Sequence, residues 1–336
     1  MEQKTGRRLP RLLFAAAVLP LALIVMAGLG EVGARLFIRH QTIQIEPFRI
    51  ALDNVLHRRS AILDLYWEMV PHANATLHDV PVATNSLGFR DRDYGPKDGA
   101  RRIVMLGDSI TFGAMVPAEE SHPRVLESLL KQWSPEPVEV INCGVCGYNF
   151  IQDAVNYEAK ADQYAPDLIT VGFFMDDIDP PYVPQQRGLV LQLELRSQLY
   201  RLLKLRLRTH WPSLVGSQSF VPAAAETAFK SRLLDFIRRR EVEGIHLLFI
   251  IHPMLDQQWL RNDPIAGTIQ PLLNQWKVPY LEMDKIYLAT GRPITDFQTP
   301  EKDNVHPNAL GHRLIAETIN AYLREHPELL TAGSTR

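Results

Sequence analysis

The chain has 336 residues, enough for one large α/β domain with extensions or for two domains of average size. It carries 36 Lys and Arg against 38 Asp and Glu, a net charge of −2, so the basic excess typical of nucleic-acid-binding proteins is lacking and no nucleic-acid partner is expected. Two cysteines exclude a disulfide-rich scaffold, and a hydrophobic content of 46% excludes a disordered chain.

The first predicted element is an apolar helix over residues 12–30. These 19 residues carry no charge and would form a helix about 28 Å long, close to the thickness of a bilayer's hydrocarbon core. Residues 1–11 carry four basic side chains and one acid, which by the positive-inside rule predicts a cytoplasmic N-terminus. We therefore expect a single-pass transmembrane signal-anchor in the cytoplasmic (inner) membrane, with the rest of the chain facing the periplasm. A cleaved signal peptide and a buried core helix are the alternatives.

The main domain is predicted at residues 85–330, after a stem at 31–84 that shows no clear hydrophobic period. From residue 102 on, short apolar runs alternate with helical patterns. The predicted strands are 103–106, 138–141, 168–174, 245–251 and 279–281, and the predicted helices are 123–133, 151–164, 224–240 and 308–323. This alternation predicts an α/β fold, a three-layer α/β/α sandwich with a mainly parallel sheet and functional residues at the strands' carboxyl ends.

Residues 178–222 interrupt the alternation and are predicted to form a cap over the site. Within them Arg201, Lys204 and Arg208 share one helical face, opposite most of the leucines. Such a helix could lie on an anionic membrane, bind an anionic substrate, or present a solvated face above a packed one.

Ser109 follows the first predicted strand within the segment Gly107–Gly113. The segment lacks the glycine and lysine spacing of a phosphate-binding loop and the G-x-G-x-x-G of a dinucleotide-binding turn. A serine at a strand-to-helix turn fits a nucleophile whose hydroxyl is lifted above the sheet. Its alternative is a serine that only caps the following helix.

His306 is the first candidate for a general base because Asp303 precedes it by three residues. The carboxylate could then hold Nδ1 while Nε2 faces the serine. His122 is the second candidate, whereas His252 and His312 are interpreted as structural. No side chains show metal-ligand spacing, so neither a metal nor another cofactor is expected.

Three sequence blocks resemble the signature of the SGNH, or GDSL-type, hydrolase superfamily. Residues 103–113 resemble the block with the nucleophile, 142–148 the block with the oxyanion glycine, and 303–307 the block with the catalytic Asp and His. The resemblance covers roughly residues 85–325, and the lead-in at 85–90 is similar to that of membrane-anchored bacterial members. It implies a flavodoxin-like SGNH hydrolase fold and serine-dependent chemistry on acyl esters.

By this resemblance Ser109 is the nucleophile, and Asp303 and His306 complete the triad. The oxyanion hole is assigned to the backbone amides of Ser109 and Gly147 and to the side chain at position 176. Family members carry Asn there, whereas this chain has Asp176, whose ionised carboxylate has no donor and would repel an oxyanion. Losing one donor costs about 10²–10³ in rate, so Asp176 could substitute only if it is held protonated.

The implied activity is that of an esterase or deacetylase outside the cytoplasm, with acylated cell-envelope glycans or lipids as candidate substrates. An O-acyltransferase would use the same acyl-enzyme chemistry. A non-catalytic glycan-binding or assembly protein would tolerate an oxyanion hole weakened by Asp176. The sequence indicates no particular protein partner.

Cys143 and Cys146 form a C-x-x-C directly after a predicted strand. Thioredoxin-like redox chemistry is disfavoured because the pair falls within the block assigned to the oxyanion hole. The sequence leaves open whether the two cysteines form a disulfide.

Overall fold

The computed structural model describes residues 55–77, 79–179, 223–257, 260, 266–300 and 303–331, together with 18, 22, 25–33 and 199. Contacts between Cα atoms divide the chain into two units, Met1–Arg49 with Gln185–Phe220 and Ile50–Pro184 with Val221–Arg336. Most of the predicted signal-anchor at 12–30 and of the predicted cap at 178–222 lies outside the described residues. Where the structure does describe the chain, no helix combines the length and apolar character needed to cross a membrane.

The segment interpreted as a stem contributes two antiparallel hairpins to the second unit. Their strands are β1 (His57–Arg59), β2 (Trp67–Met69), β3 (Asn74–Leu77) and β4 (Val80–Ala83). Trp67 is fully buried, and its carbonyl oxygen accepts a hydrogen bond of 2.7 Å from the hydroxyl of Tyr148. The part of the stem from residue 55 on is therefore packed against the domain that follows it.

The second unit is built on a parallel sheet of five strands. They are β5 (Arg101–Leu106), β6 (Val138–Asn142), β7 (Leu168–Phe173), β8 (His246–Ile251) and β9 (Tyr280–Glu282), in the order β6-β5-β7-β8-β9. Every pairing between them is parallel. The predicted α/β fold with a mainly parallel sheet is thus confirmed, and each predicted strand is found within two residues of its expected ends.

Seven α-helices are described in this unit. They are α1 (Ser109–Phe112), α2 (His122–Leu130), α3 (Phe150–Ala159), α4 (Ala223–Glu243), α5 (Ala266–Gln275), α6 (Met283–Ala289) and α7 (Ala309–Glu325). α3, α4 and α5 pack on one face of the sheet, and α2, α6 and α7 pack on the other. α1, α5 and α6 were not among the predicted helices.

Alternate residues of the central strand β5 face the two apolar cores. Val104 and Leu106 point into one core, and Ile103 and Met105 into the other. All four side chains are at most 1% exposed. Because a strand buried on both faces cannot tilt without opening one core, β5 is a rigid support for the turn that follows Leu106.

Candidate active site

The turn after β5 is tight because small residues allow its segments to approach closely. Gly107 has a φ of 143°, and a Cβ atom there would overlap the side chain of Thr111. The side chain of Asp108 then caps α1 by accepting a 2.8 Å hydrogen bond from the amide of Ile110. Ser109 is consequently the first residue of a helix at the carboxyl edge of the sheet.

Ser109, His306 and Asp303 form one hydrogen-bonded chain. The distance from Ser109 Oγ to His306 Nε2 is 2.8 Å, and that from His306 Nδ1 to Asp303 Oδ2 is 2.6 Å. All three residues are at most 4% exposed. Their order and distances are those that let a serine lose its proton to an imidazole that a carboxylate orients.

The carboxylate of Asp303 accepts hydrogen bonds from backbone amides as well as from the imidazole of His306. Its Oδ1 accepts hydrogen bonds from the amides of Val305, at 2.7 Å, and His306, at 3.2 Å. Burial disfavours the charged carboxylate, but these bonds and the one from the His306 ring keep the pKa of Asp303 below its ordinary value. The carboxylate of Asp303 is therefore ionised at neutral pH, where it can hold the imidazole of His306.

The loop after β6 lies against the turn that carries Ser109. The amide of Val145 donates to the carbonyl of Gly107 at 2.9 Å, and Gly147 follows two residues later with a φ of 77°. Asn142 joins the two segments: its side-chain amide donates to the carbonyl of Phe112 at 3.3 Å, and its Oδ1 accepts from the amide of Gly144 at 3.0 Å. The loop that carries Gly147 is therefore fixed relative to α1.

Asp176 lies in a 3₁₀ turn, Met175–Ile178, directly after β7. The residue is exposed to solvent, yet the surrounding protein desolvates its carboxyl and raises its pKa to about 6. The charge of Asp179 adds to this rise, whereas the interaction with His306 opposes it. Asp176 therefore takes up its proton as the pH falls through about 6.

The sequence pattern of the GDSL-like Lipase/Acylhydrolase family matches residues 105–314, more than half of the chain. The chain belongs to this family. No match was found among curated proteins.

Solved structures similar to this GDSL-like chain include several esterases. A two-domain esterase active on acetylated mannans, co-crystallised with mannopentaose, has a TM-score of 0.45 and 18% identity, with 68% of this chain and 50% of that one covered. A lipase/acylhydrolase from Enterococcus faecalis has a TM-score of 0.45 and 17% identity, with 67% of this chain and 96% of that one covered. The acetyl xylan esterase AlAXEase has a TM-score of 0.45 and 15% identity, with 66% of this chain and 99% of that one covered. The chain thus spans about half the length of the two-domain esterase.

Three further aspartates of the GDSL-like domain have raised pKa values. Burial, together with the charge of Asp176, raises the pKa of Asp108 to about 8. Burial and the neighbouring carboxyls also raise the pKa of Asp153 and that of Asp177 well above the ordinary value. Burial and the neighbouring carboxyls therefore favour the neutral form of each of these groups, because several ionised groups cannot share one desolvated region.

His122, the second candidate base, is hydrogen-bonded to another histidine and not to Ser109. Nδ1 of His122 lies 3.0 Å from Nδ1 of His312, and the two rings stack with their centroids 5.2 Å apart. His252 lies beside them, with its ring centroid 6.2 Å from that of His122. Burial lowers the pKa of all three, to about 3 for His252 and His312. The histidine that is hydrogen-bonded to Ser109 Oγ is instead His306.

Cys143 and Cys146 are both buried and free, so the disulfide that the sequence left open is not formed in this structure. Burial raises the pKa of each thiol. Over the described ranges, no group of three or more His, Cys, Asp or Glu side chains is placed to hold a metal ion.

Sequence reasoning missed two polar residues that shape the site. The sequence predicts no role for Asn142 beyond its place at the start of the block at 142–148, and none for Arg90 beyond its place in the lead-in at 85–90. Both act on the backbone of α1, which lies far from them in sequence. The one available signal was an uncommon one, an arginine within an otherwise apolar Leu-Gly-Phe-Arg run before the first strand of the sheet.

Proposed function

We propose that this chain is a serine-dependent acyl-ester hydrolase that acts outside the cytoplasm. The observation that carries the proposal is the hydrogen-bonded chain from Ser109 Oγ through His306 to Asp303, at 2.8 and 2.6 Å. Membership in a family of lipases and acylhydrolases supports the same reaction class. Of the named residues, Ser109 is the nucleophile, His306 the general base and acid, and Asp303 the residue that orients His306.

Acylation begins when Ser109 Oγ attacks the ester carbonyl carbon and His306 Nε2 takes the hydroxyl proton. The carbonyl π electrons move to the oxygen, and a tetrahedral oxyanion forms. As it collapses, the bond to the alcohol breaks and His306 returns the proton to the leaving oxygen. Asp303 stabilises the imidazolium that exists between these two transfers.

Deacylation repeats the sequence with water as the nucleophile. His306 takes a proton from the water, the hydroxide oxygen adds to the acyl carbon, and the proton is returned to Ser109 Oγ as the acid is released. A sugar hydroxyl in place of water would give O-acyl transfer, and no observation in the site favours it over hydrolysis.

The oxyanion is stabilised in this proposal by the backbone amides of Ser109 and Gly147. These are oriented before the substrate binds, because α1 and the loop after β6 are bonded to one another. Asp176 supplies a third donor only when it is protonated, below a pKa of about 6. The chain is accordingly expected to turn over neutral esters slowly above that pH.

The proposed location and substrates rest on the sequence. The apolar run at 12–30 with its basic flank supports a membrane-anchored enzyme that faces the periplasm. Acylated envelope glycans or lipids are the substrates that such a site would meet. The solved acetyl-mannan and acetyl-xylan esterases are consistent with O-acetylated glycans as the first class to test.

The deciding experiment combines labelling and turnover on the purified full-length protein. A fluorophosphonate should label Ser109, and p-nitrophenyl acetate should be hydrolysed, while Ser109→Ala should abolish both. His306→Ala should lower the labelling rate because the serine loses its base. Wild-type protein that is folded but neither labelled nor active would refute the proposal.

Asp176 favours one second candidate, a glycan-binding or assembly protein that keeps the fold without turnover. An ionised carboxylate at the third oxyanion position opposes the transition state but not the binding of a neutral sugar. This candidate predicts no Ser109-dependent labelling, together with saturable binding of an O-acetylated oligosaccharide in calorimetry.

A further inference from the structure

Arg90 is buried directly behind the nucleophile helix. The residue is 4% exposed, and its guanidinium lies 5.0 Å from the ring centroid of Phe112. It is presented by a compact turn in which Asn85 Oδ1 accepts hydrogen bonds of 3.0 Å from the amides of Leu87 and Phe89. The side chain therefore enters the domain from the lead-in segment before the sheet begins.

The guanidinium donates to four backbone carbonyl oxygens. Nη1 bonds to the carbonyls of Phe112, at 3.2 Å, and Gly113, at 2.6 Å, and Nη2 bonds to those of Val116, at 2.9 Å, and Pro81, at 3.3 Å. Three of the acceptors belong to the end of α1 and the loop that follows it. The fourth belongs to β4 of the second hairpin. One side chain thus ties the hairpin to the nucleophile helix.

These acceptors are coupled to Ser109 because α1 is a single turn. The amide of Gly113 donates to the carbonyl of Ser109 at 3.1 Å, and the amide of Ala114 donates to the same oxygen at 3.0 Å. A shift of Gly113 is therefore passed to Ser109 with no intervening turn to absorb it. A cation at the carboxyl end of the helix also favours the helix dipole.

We propose that Arg90 is a positioning residue that keeps the hydroxyl and the amide of Ser109 aligned with His306 and the oxyanion. This inference rests on the proposed hydrolase function. The planar fork of a guanidinium fits several carbonyls at once, whereas a lysine offers a single ammonium on a flexible stem. Both the fork and the charge are needed to hold four oxygens from two segments.

Arg102 provides a matched control for the loss of a buried arginine. It is 3% exposed and also donates to backbone carbonyls, those of Tyr164 at 3.1 Å and Gly95 at 2.6 Å. It belongs to the beginning of β5, however, whereas Ser109 follows the end of that strand. Arg90→Met and Arg102→Met should both lower the melting temperature, but only Arg90→Met should alter the site.

The test measures fluorophosphonate labelling and p-nitrophenyl acetate kinetics on the full-length variants, at a temperature where circular dichroism shows each to be folded. Arg90→Met should lower the labelling rate constant and kcat by about 10- to 100-fold with little change in KM, because a displacement of about 1 Å costs that much. Arg90→Lys should recover part of the loss. Arg102→Met should stay within about twofold of wild type.

Hydrogen exchange gives a readout that does not depend on activity. Amides of residues 108–116 should exchange faster in Arg90→Met than in wild type, and those in Arg102→Met should not. Wild-type exchange and kinetics in folded Arg90→Met would overturn the inference, as would an equal loss in Arg102→Met. An inactive wild type would refute the hydrolase proposal instead, and the exchange data would still decide whether Arg90 holds α1.

Discussion

Gly144 and Thr111 are in contact through their backbones. A Cβ atom on Gly144 would lie 2.7 Å from the carbonyl carbon of Thr111 and would also overlap the amide nitrogen of Phe112. Real Cβ atoms do not approach backbone this closely, so the loop after β6 can pack on the nucleophile helix only with glycine at this position.

Gly144→Ala should therefore push α1 away from the loop and reduce kcat by at least tenfold, because small misplacements of a nucleophile are costly. It should also lower the free energy of unfolding by about 1–3 kcal/mol through overpacking. Gly267→Ala is the control, since a Cβ atom on this residue of α5 would meet no atom within 4 Å. Wild-type kcat in Gly144→Ala would contradict the close contact.

Asp303→Asn should leave the fold intact but lower kcat on the order of 10³–10⁴-fold, with KM little changed. The amide cannot stabilise the imidazolium, and it can present a donor to His306 Nδ1 where an acceptor is required. Asp296→Asn is a suitable control because Asp296 is paired with Arg292 in an exposed turn. A loss of less than about tenfold would mean that another group orients His306.

Asp176→Asn should increase turnover of p-nitrophenyl acetate at pH 8, by up to about 10²–10³-fold, because a donor replaces a repelling charge. The ratio of variant to wild-type kcat/KM removes the pH effects that the two proteins share. This ratio should fall toward one as the pH is lowered through about 6, where the wild-type carboxyl takes up its proton.

The control for this charge removal is Asp179→Asn, since Asp179 lies in the same segment and raises the pKa of Asp176. It should change turnover at pH 8 by less than about threefold. An Asp176→Asn rate equal to or below that of wild type across pH 5–8 would show that the carboxyl has no part in the oxyanion hole.

Asp108→Asn should stabilise the protein at high pH. The pKa of Asp108 is raised to about 8 in the folded state from an ordinary value of 3.8, so between these values the folded chain binds more protons than the unfolded chain. Stability is therefore lost as the pH rises through this window, by at most about 1.4 kcal/mol per pH unit for one proton.

Asparagine keeps the cap on α1 but does not titrate, so the variant should show a shallower decline in unfolding free energy between pH 5 and pH 8. Urea unfolding at several pH values would measure both slopes. Parallel declines for the two proteins would place the proton uptake on another carboxyl.

The sheet and the grouping of Ser109 with Asp303 and His306 were predictable because their signals are local. β5 is a run of apolar residues followed by a turn sequence, and Asp303 precedes His306 by the three residues that one turn needs. The hairpins were not predicted because strands of three or four residues carry too few alternations to define a period. Their role appears only when Trp67 and Tyr148, 81 positions apart, come together.

Neither the protonation of the aspartates nor the contacts of Arg90 could be predicted from the sequence, because both depend on residues that are distant in the chain. The pKa of Asp176 depends on desolvation and on Asp179 and His306, the last of which is distant in the chain. Likewise, Arg90 reaches carbonyls up to 26 residues away. Motifs identify which groups react, whereas the packing around them decides in which charge state and orientation they do so.

The contact between His122 and His312 fixes the tautomers of both rings. His312 Nδ1 accepts from the backbone amide of His122 at 3.3 Å, so it carries no proton, and His122 Nδ1 must donate the bond between the rings. With a pKa of about 3, His312 does not take up a second proton at neutral pH. In the proposed mechanism, a proton that leaves Ser109 therefore finds no basic ring in this pair, and it is held by His306 until it is returned to the leaving alcohol.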